Sequence, residues 1–162
     1  KKINKKENKL ALCSAIAASA SKELVTKRGH IIEGIETLPL IITDEVESVS
    51  NTSKMLNVLD SLNLTQDVKR LDNRKRRSGK VVLRGRASKI GKSVLFVVLN
   101  AERISKSCSG IPGVDACSVR NLSVLNLAPG GTLIRLTVYS KKAIEYISKI
   151  ESNHLKLMAI MQ

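Results

Sequence analysis

The sequence predicts an α/β domain on a mainly parallel central sheet. Three observations carry this expectation. The 162 residues are 43% hydrophobic, enough for one domain with a real core. Short strand-like runs alternate with helical segments along the whole chain, the pattern of a parallel sheet with crossover helices. Ser93 to Leu99 (SVLFVVL) is a continuous apolar run, which reads as a strand buried on both faces.

The elements follow in order. Lys5 to Lys27 reads as one long helix, with Cys13, Ile16, Ala17, Ala20 and Leu24 recurring at helical spacing and Gly29 at its C-terminal end. Its small residues Ala11, Ala15, Ala17, Ala18 and Ala20 suit close packing against a sheet or another helix. Leu38 to Thr43, opened by Pro39, reads as a buried strand. Asn51 or Thr52 caps a helix to about Leu62 with Met55, Leu56, Leu59 and Leu62 inward. A short helical piece follows Leu64, and then a basic loop. After the 93–99 strand, Asn100 caps a helix to about Ser109, and Ile111-Pro112-Gly113 turns into a strand over Val114–Val119. Asn121–Leu127 is short helix or irregular, and Ala128-Pro129-Gly130-Gly131 is a sharp turn. Leu133–Tyr139 is a strand, and Ser140 caps a final helix to about Asn153. The expected organisation is one domain over 1–153, with an inserted basic loop at 69–92 and a tail at 154–162. No internal repeat is visible.

The charge is concentrated. The chain carries 28 Lys and Arg against 14 Asp and Glu. Lys69, Arg70, Arg74, Lys75, Arg76, Arg77, Lys80, Arg84, Arg86, Lys89 and Lys92 fall within 24 positions and are opposed only by Asp72, a local net charge of +10. The other 138 residues hold 17 basic and 13 acidic side chains. Like charges at this density repel unless a polyanion neutralises them. Gly79, Gly85 and Gly91 interleave with the cations and let backbone approach a phosphate path. Arginine forks suit bidentate phosphate contacts. A second cluster is Lys1, Lys2, Lys5, Lys6 and Lys9, relieved only by Glu7. The partner class is therefore nucleic acid. Only Phe96, Tyr139 and Tyr146 are aromatic, which argues against modules that stack single-stranded bases. Recognition is expected through phosphates, 2′-hydroxyls and RNA shape.

Other classes lose support. No apolar run approaches the roughly 20 residues of a spanning helix, and no signal peptide is visible, so no membrane partner is expected. Cys13, Cys108 and Cys117 form an odd set without metal-ligand spacing relative to His30 and His154; they read as ordinary free thiols of a reducing compartment. Gly91-Lys92-Ser93 resembles the end of a phosphate-binding P-loop, but Arg86 stands where the earlier glycine belongs and the tripeptide precedes a strand. No G-x-G-x-x-G occurs. Asp44, Glu45 and Glu47 form an acidic patch better explained by an exposed loop or a helix N-terminus than by a metal or general base. Asn121-Leu122-Ser123 matches a glycosylation acceptor by accident. No catalytic residue, cofactor, metal or small-molecule substrate is expected.

Five stretches, in order, resemble a known family: KKENKLALCSAIAASA (5–20), Leu38-Pro39-Leu40, RRSGKVVLRGR (76–86), IPGVD (111–115) and LAPGGTLIRLTVYSKKA (127–143). Together they resemble the universal family of the fourth large-subunit ribosomal protein, in its archaeal and eukaryotic form, over essentially 2–150. The resemblance implies a Rossmann-like three-layer domain that binds large-subunit rRNA near the peptide exit tunnel, beside other large-subunit proteins. It implies a cytoplasmic, ribosome-bound, non-enzymatic protein that is not a homo-oligomer. It also implies that this chain corresponds to the family's C-terminal part, without the first strand and helix or the tunnel loop, with the lysines of 1–9 as the loop's returning stem. The sequence departs from the family at Val81-Val82-Leu83, where Gly, Lys and Met are usual, and at Thr132-Leu133-Ile134, where His-Pro-Gly is usual. Arg135 stands where the family keeps an arginine and joins the expected rRNA-binding set. The tail 154–162 has no counterpart. Two other readings stay open: a free-standing RNA-binding regulator of the same fold, and a nucleotide-dependent α/β enzyme with a pocket at the C-terminal strand edge.

Overall fold

The structure, a computed structural model, describes residues 3–71, 76–88 and 90–149. The expected loop residues Arg74, Lys75 and Lys89, the lysines at 1 and 2, and the tail 154–162 lie outside the described residues. Four parallel strands form one sheet in the order β1-β4-β2-β3: β1 Leu40–Ile42, β2 Leu95–Val98, β3 Asp115–Ser118 and β4 Thr137–Ser140. Their register places Leu95 opposite Thr137 on one side and Asp115 on the other, while Leu40 faces Val138.

The continuous apolar run at 93–99 is explained by burial on both faces. Val94, Phe96 and Val98 point into one core with Leu136 and Val138, while Leu95 and Val97 point into a second core with Tyr139. Helices cover both sides and complete three layers. On the first face lie α2 (Lys22–Lys27), α3 (Thr52–Ser61), α4 (Thr65–Lys69) and α6 (Glu102–Ser109), contributing Val25, Met55, Leu59, Val68, Ile104 and Cys108. On the second lie α1 (Lys5–Ala18), α7 (Val124–Leu127) and α8 (Lys141–Ser148), contributing Ala15, Leu127 and Ala143. Each fully buried Val, Leu or Phe side chain contributes about 1.5–3 kcal/mol.

Several sequence expectations are corrected. The expected helix over 5–27 is two helices. The Ser19 N–H donates to the Ala15 and Ile16 carbonyls at the end of α1, and its hydroxyl donates to the Ile16 carbonyl at 2.6 Å, a local bond that competes with helix continuation. The same hydroxyl lies 3.2 Å from the buried Tyr139 hydroxyl. The long-helix stripe therefore shifts: Ala15, Ser19 and Val25 are buried, while Ala17 and Ala20 are exposed. The 38–43 strand shortens to β1, which among the described residues is an edge strand paired with β4, and Ile41 is 57% exposed. Leu56 faces outward, whereas Met55, Leu59 and the half-buried Leu62 pack on the core as expected. The cap of α6 slips from Asn100 to Ala101. The expected 133–139 strand begins only at Thr137, although the Leu136 carbonyl still accepts from the Leu95 amide at 2.9 Å. The basic segment is not all loop, because α5 (Lys80–Leu83) forms one turn within it. Two caps stand as expected: Asn51 accepts from the Ser53 amide at 3.0 Å, and Ser140 accepts from the Ala143 amide at 3.2 Å.

Gly113, between α6 and β3, is a position that only glycine fits. Its φ is +77°, and an added Cβ would lie 2.8 Å from the Gly91 carbonyl oxygen and also collide with Leu71. Gly113→Ala is expected to cost about 3 kcal/mol, combining left-handed strain with overpacking against backbone. Urea unfolding of the variant checks this; a wild-type midpoint would show that the turn adjusts freely.

Candidate nucleic-acid interface

The basic segment leaves the domain after α4 and returns at β2, both at the end of the sheet where β2 and β3 begin. Its two stems are pinned by one buried side chain that the sequence does not advertise. Asp67 in α4 is fully buried and accepts four hydrogen bonds: from the Ile31 amide at 3.0 Å, from His30 Nδ1 at 3.0 Å, from Arg70 Nε at 3.0 Å and from the Ser93 hydroxyl at 2.5 Å. Burial pushes its carboxyl up, but the hydrogen bond and charge of His30 and the bonds from Ser93 and Ile31 outweigh it, holding it at about 2. Arg70 lies on the outgoing stem and Ser93 on the returning one, so this carboxylate clasps the base of the loop. Arg70 also donates to the Lys92 carbonyl at 3.3 Å. Leu71 is buried between the stems, where a Cβ on Gly91 would come within 2.6 Å of its Cδ2.

Arg135 sits under the returning stem, not on the surface. It is 2% exposed. Its guanidinium donates to the Ser93 carbonyl through Nε, to the Val94 and Gly113 carbonyls at 2.7 and 2.6 Å through Nη2, and to Asp115 at 2.7 Å through Nη1. Burial pulls its pKa below the ordinary arginine value, partly offset by Asp115. Four of the five N–H groups of the guanidinium are thus engaged inside the protein, which leaves little of the planar fork for the phosphate contact expected of this residue. Asp115 also accepts from Lys92 Nζ at 2.8 Å; burial raises its carboxyl, but Lys92 and Arg135 bring it below the usual range.

The outward part of the segment is closed on itself. The Arg77 amide donates to the Ala87 carbonyl at 2.9 Å, and the Arg86 amide to the Val81 carbonyl at 3.0 Å. Gly79, with φ +72°, turns the chain into α5. Arg76, Arg77, Lys80, Arg84 and Arg86 are all exposed around this closed turn, with Lys69 exposed on the outgoing stem. The expected set thus divides. These six cations face solvent, Arg70 and Lys92 are shared with Asp67 and Asp115, and Arg135 belongs to the interior. Lys5, Lys6 and Lys9 are exposed on the first turns of α1.

Arg28, which no sequence reading singled out, holds the turn after Pro129. It donates to the Pro129 carbonyl at 3.0 Å, the Thr132 hydroxyl at 2.7 Å and the Leu133 carbonyl. Thr132 and Leu133 belong to the 132–134 stretch in which the sequence reading expects a departure from the family pattern.

The opposite end of the sheet does not suit a nucleotide. A cavity of about 490 Å³ opens beyond β2 and β3, lined by Leu99, Asn100, Glu102, Cys117 and Arg120 among others. α6 begins there without a glycine turn and with Glu102 in its first turn, which repels phosphate. At the neighbouring ends of β2 and β4, Glu47 accepts from the Leu99 amide at 2.9 Å and the Ser140 hydroxyl at 3.3 Å, and Asp44 accepts from the Lys142 amide at 3.0 Å. The acidic patch therefore fills the amide-rich positions that an anionic ligand would need. Among the described residues no group of three His, Cys, Asp or Glu could hold a metal ion, and no helix is long and apolar enough to cross a membrane. The Cys108 and Cys117 thiols are pushed up by burial to about 12 and about 11, which makes both poor nucleophiles.

Residues 1–150 match the model of the ribosomal protein L4/L1 family. The large ribosomal subunit protein uL4 of Sulfurisphaera tokodaii is 43% identical over 157 residues, covering 96% of this chain and 59% of that protein. The uL4 proteins of Methanococcus aeolicus and Archaeoglobus fulgidus are 44% and 45% identical over 149 residues, each covering 91% of this chain and 59% and 58% of their own length. The chain thus spans less than two thirds of the relatives it matches.

Proposed function

The chain belongs to the ribosomal protein L4/L1 family, and from that premise we propose that it is an rRNA-binding structural constituent of the large ribosomal subunit without catalytic activity. The observation that carries the reading is the closed basic turn at 76–87, five exposed Lys and Arg on a stem clasped by buried charges. Residues 1–153 act as one RNA-binding domain, with 69–92 as its principal contact and the lysines at 1–9 as a second. Large-subunit rRNA and neighbouring large-subunit proteins are the partners. A pre-closed loop loses little conformational entropy on docking, and counterion release from the phosphates supplies much of the affinity.

The test is the salt dependence of binding to deproteinised large-subunit rRNA of Sulfurisphaera tokodaii. Neutralising about eight phosphates gives a slope of log K against log salt near −6, using the single-strand coefficient. Changing Arg76, Arg77, Arg84 and Arg86 together to Ala is expected to reduce that slope by roughly three units. A slope unchanged by the four substitutions sinks the clamp.

A further inference from the structure

At the tip of the closed basic turn stands an apolar side chain that phosphate binding does not explain. Leu83 is 87% exposed, the most exposed large apolar side chain among the described residues. It closes the single turn of α5, where Val82 is half-buried and Val81 is exposed beside it. The turn is held in shape from within: the Val82 amide donates to Gly79 at 3.0 Å, Arg84 to Lys80 at 3.2 Å and Gly85 to Val82 at 2.9 Å. Leu83 therefore does not collapse onto the domain. A lone surface leucine needs no explanation, but this one shares its closed turn with Arg76, Arg77, Lys80, Arg84 and Arg86, all exposed. A surface so cationic approaches a polyanion first, and whatever meets the arginines meets Leu83 at the same time. On nucleic acid, the apolar surface available to a leucine is the face of a base.

We propose that Leu83 is an apolar wedge that packs against an unstacked or bulged base of the RNA bound by the basic turn. Proteins that bend or open nucleic acid use leucine and similar side chains in this way, flanked by phosphate-binding cations. The arginines position the turn and Leu83 selects a site where a base face is accessible. The inference rests on the RNA-binding reading, but it concerns the part of affinity that salt does not screen.

Binding of the whole chain to deproteinised large-subunit rRNA of Sulfurisphaera tokodaii separates the two. Leu83→Ala is expected to weaken binding about tenfold at every salt concentration, leaving the slope of log K against log salt as in the wild type. Leu83→Met, which restores apolar reach, is expected to bind within about twofold of wild type, by the tolerance of volume-conserving swaps. Chemical probing of bases should show one or a few nucleotides protected by wild type and Leu83→Met but not by Leu83→Ala. If Leu83→Ala binds as tightly as a salt-sensitive wild type, the wedge is overturned and the leucine belongs to a protein contact. If Leu83→Ala lowers the slope as an arginine substitution does, the residue only shapes the turn and the wedge is again overturned. A wild-type chain whose binding is weak and insensitive to salt overturns the RNA reading itself.

Discussion

Arg135→Ala is expected to lower the unfolding free energy by about 3–5 kcal/mol, the cost of removing one partner from a buried ion pair. The guanidinium joins three strand beginnings through bonds to the Ser93, Val94 and Gly113 carbonyls and the Asp115 carboxylate. Truncation removes the guanidinium donor of the Ser93 carbonyl and the buried partner of Asp115, while the Val94 and Gly113 carbonyls keep the Asp115 and Ser93 amides; a buried polar group left unpaired costs about 1–3 kcal/mol. Arg135→Lys is expected to recover only part of the loss, because an ammonium cannot span acceptors arranged for a planar fork. Urea unfolding followed by circular dichroism measures both. The salt slope of rRNA binding supplies a second readout: with its fork turned inward, Arg135 contributes no phosphate contact, so Arg135→Lys should keep the wild-type slope. A stable Arg135→Ala variant with a reduced slope would return this residue to the RNA-facing set.

Asp67→Ala is expected to cost a similar amount, about 3–5 kcal/mol, and to loosen the basic turn as well. The carboxylate joins Arg70 on one stem to Ser93 on the other, with His30 and the Ile31 amide behind it. Its depressed pKa fixes the pH at which this matters. A carboxyl held at about 2 in the fold, against 3.8 as its ordinary value, contributes stability that is fully present above the unfolded value. That contribution, about 2 kcal/mol, is lost as pH falls from about 4 towards about 2. Acid titration of stability should therefore show a component in wild type that Asp67→Asn lacks. Identical acid profiles for the two proteins would show that the clasp is not ionised in the fold. In rRNA binding, Asp67→Asn should weaken affinity at constant slope, because the phosphate-binding cations remain and only their positioning suffers.

The two large effects fall on residues that the sequence shows very differently. Arg135 lies in LIRLTVY, an apolar run whose only charge is this arginine. That contradiction is itself a signal: an arginine inside a buried apolar run must be paired within the protein. Asp67 offered no such signal. It stands in TQDVK among polar neighbours, and its burial depends on His30 and Ser93, 37 and 26 residues away. No periodicity of 2 or 3.6 residues records contacts at those separations. The break between α1 and α2 was obscured for a related reason. The apolar spacing of 13–24 runs on through it, while the interruption comes from the Ser19 hydroxyl, which bonds back to Ile16 and lies against Tyr139 across the core.

Composition and local pattern were sufficient for the α/β class, the doubly buried strand at 93–99, the caps at Asn51 and Ser140, and the position of the cationic segment. Each of these follows from interactions within a few residues of chain, or from charge density that a sequence displays directly. Tertiary structure alone decided which charges face outward. The exposed cations of the 76–87 turn, the shared Arg70 and Lys92 and the interior Arg135 are the same residue types at similar spacing. What separates them is the carboxylate or carbonyl that the fold brings alongside, since a buried charge persists only where partners from distant segments replace the water it has lost.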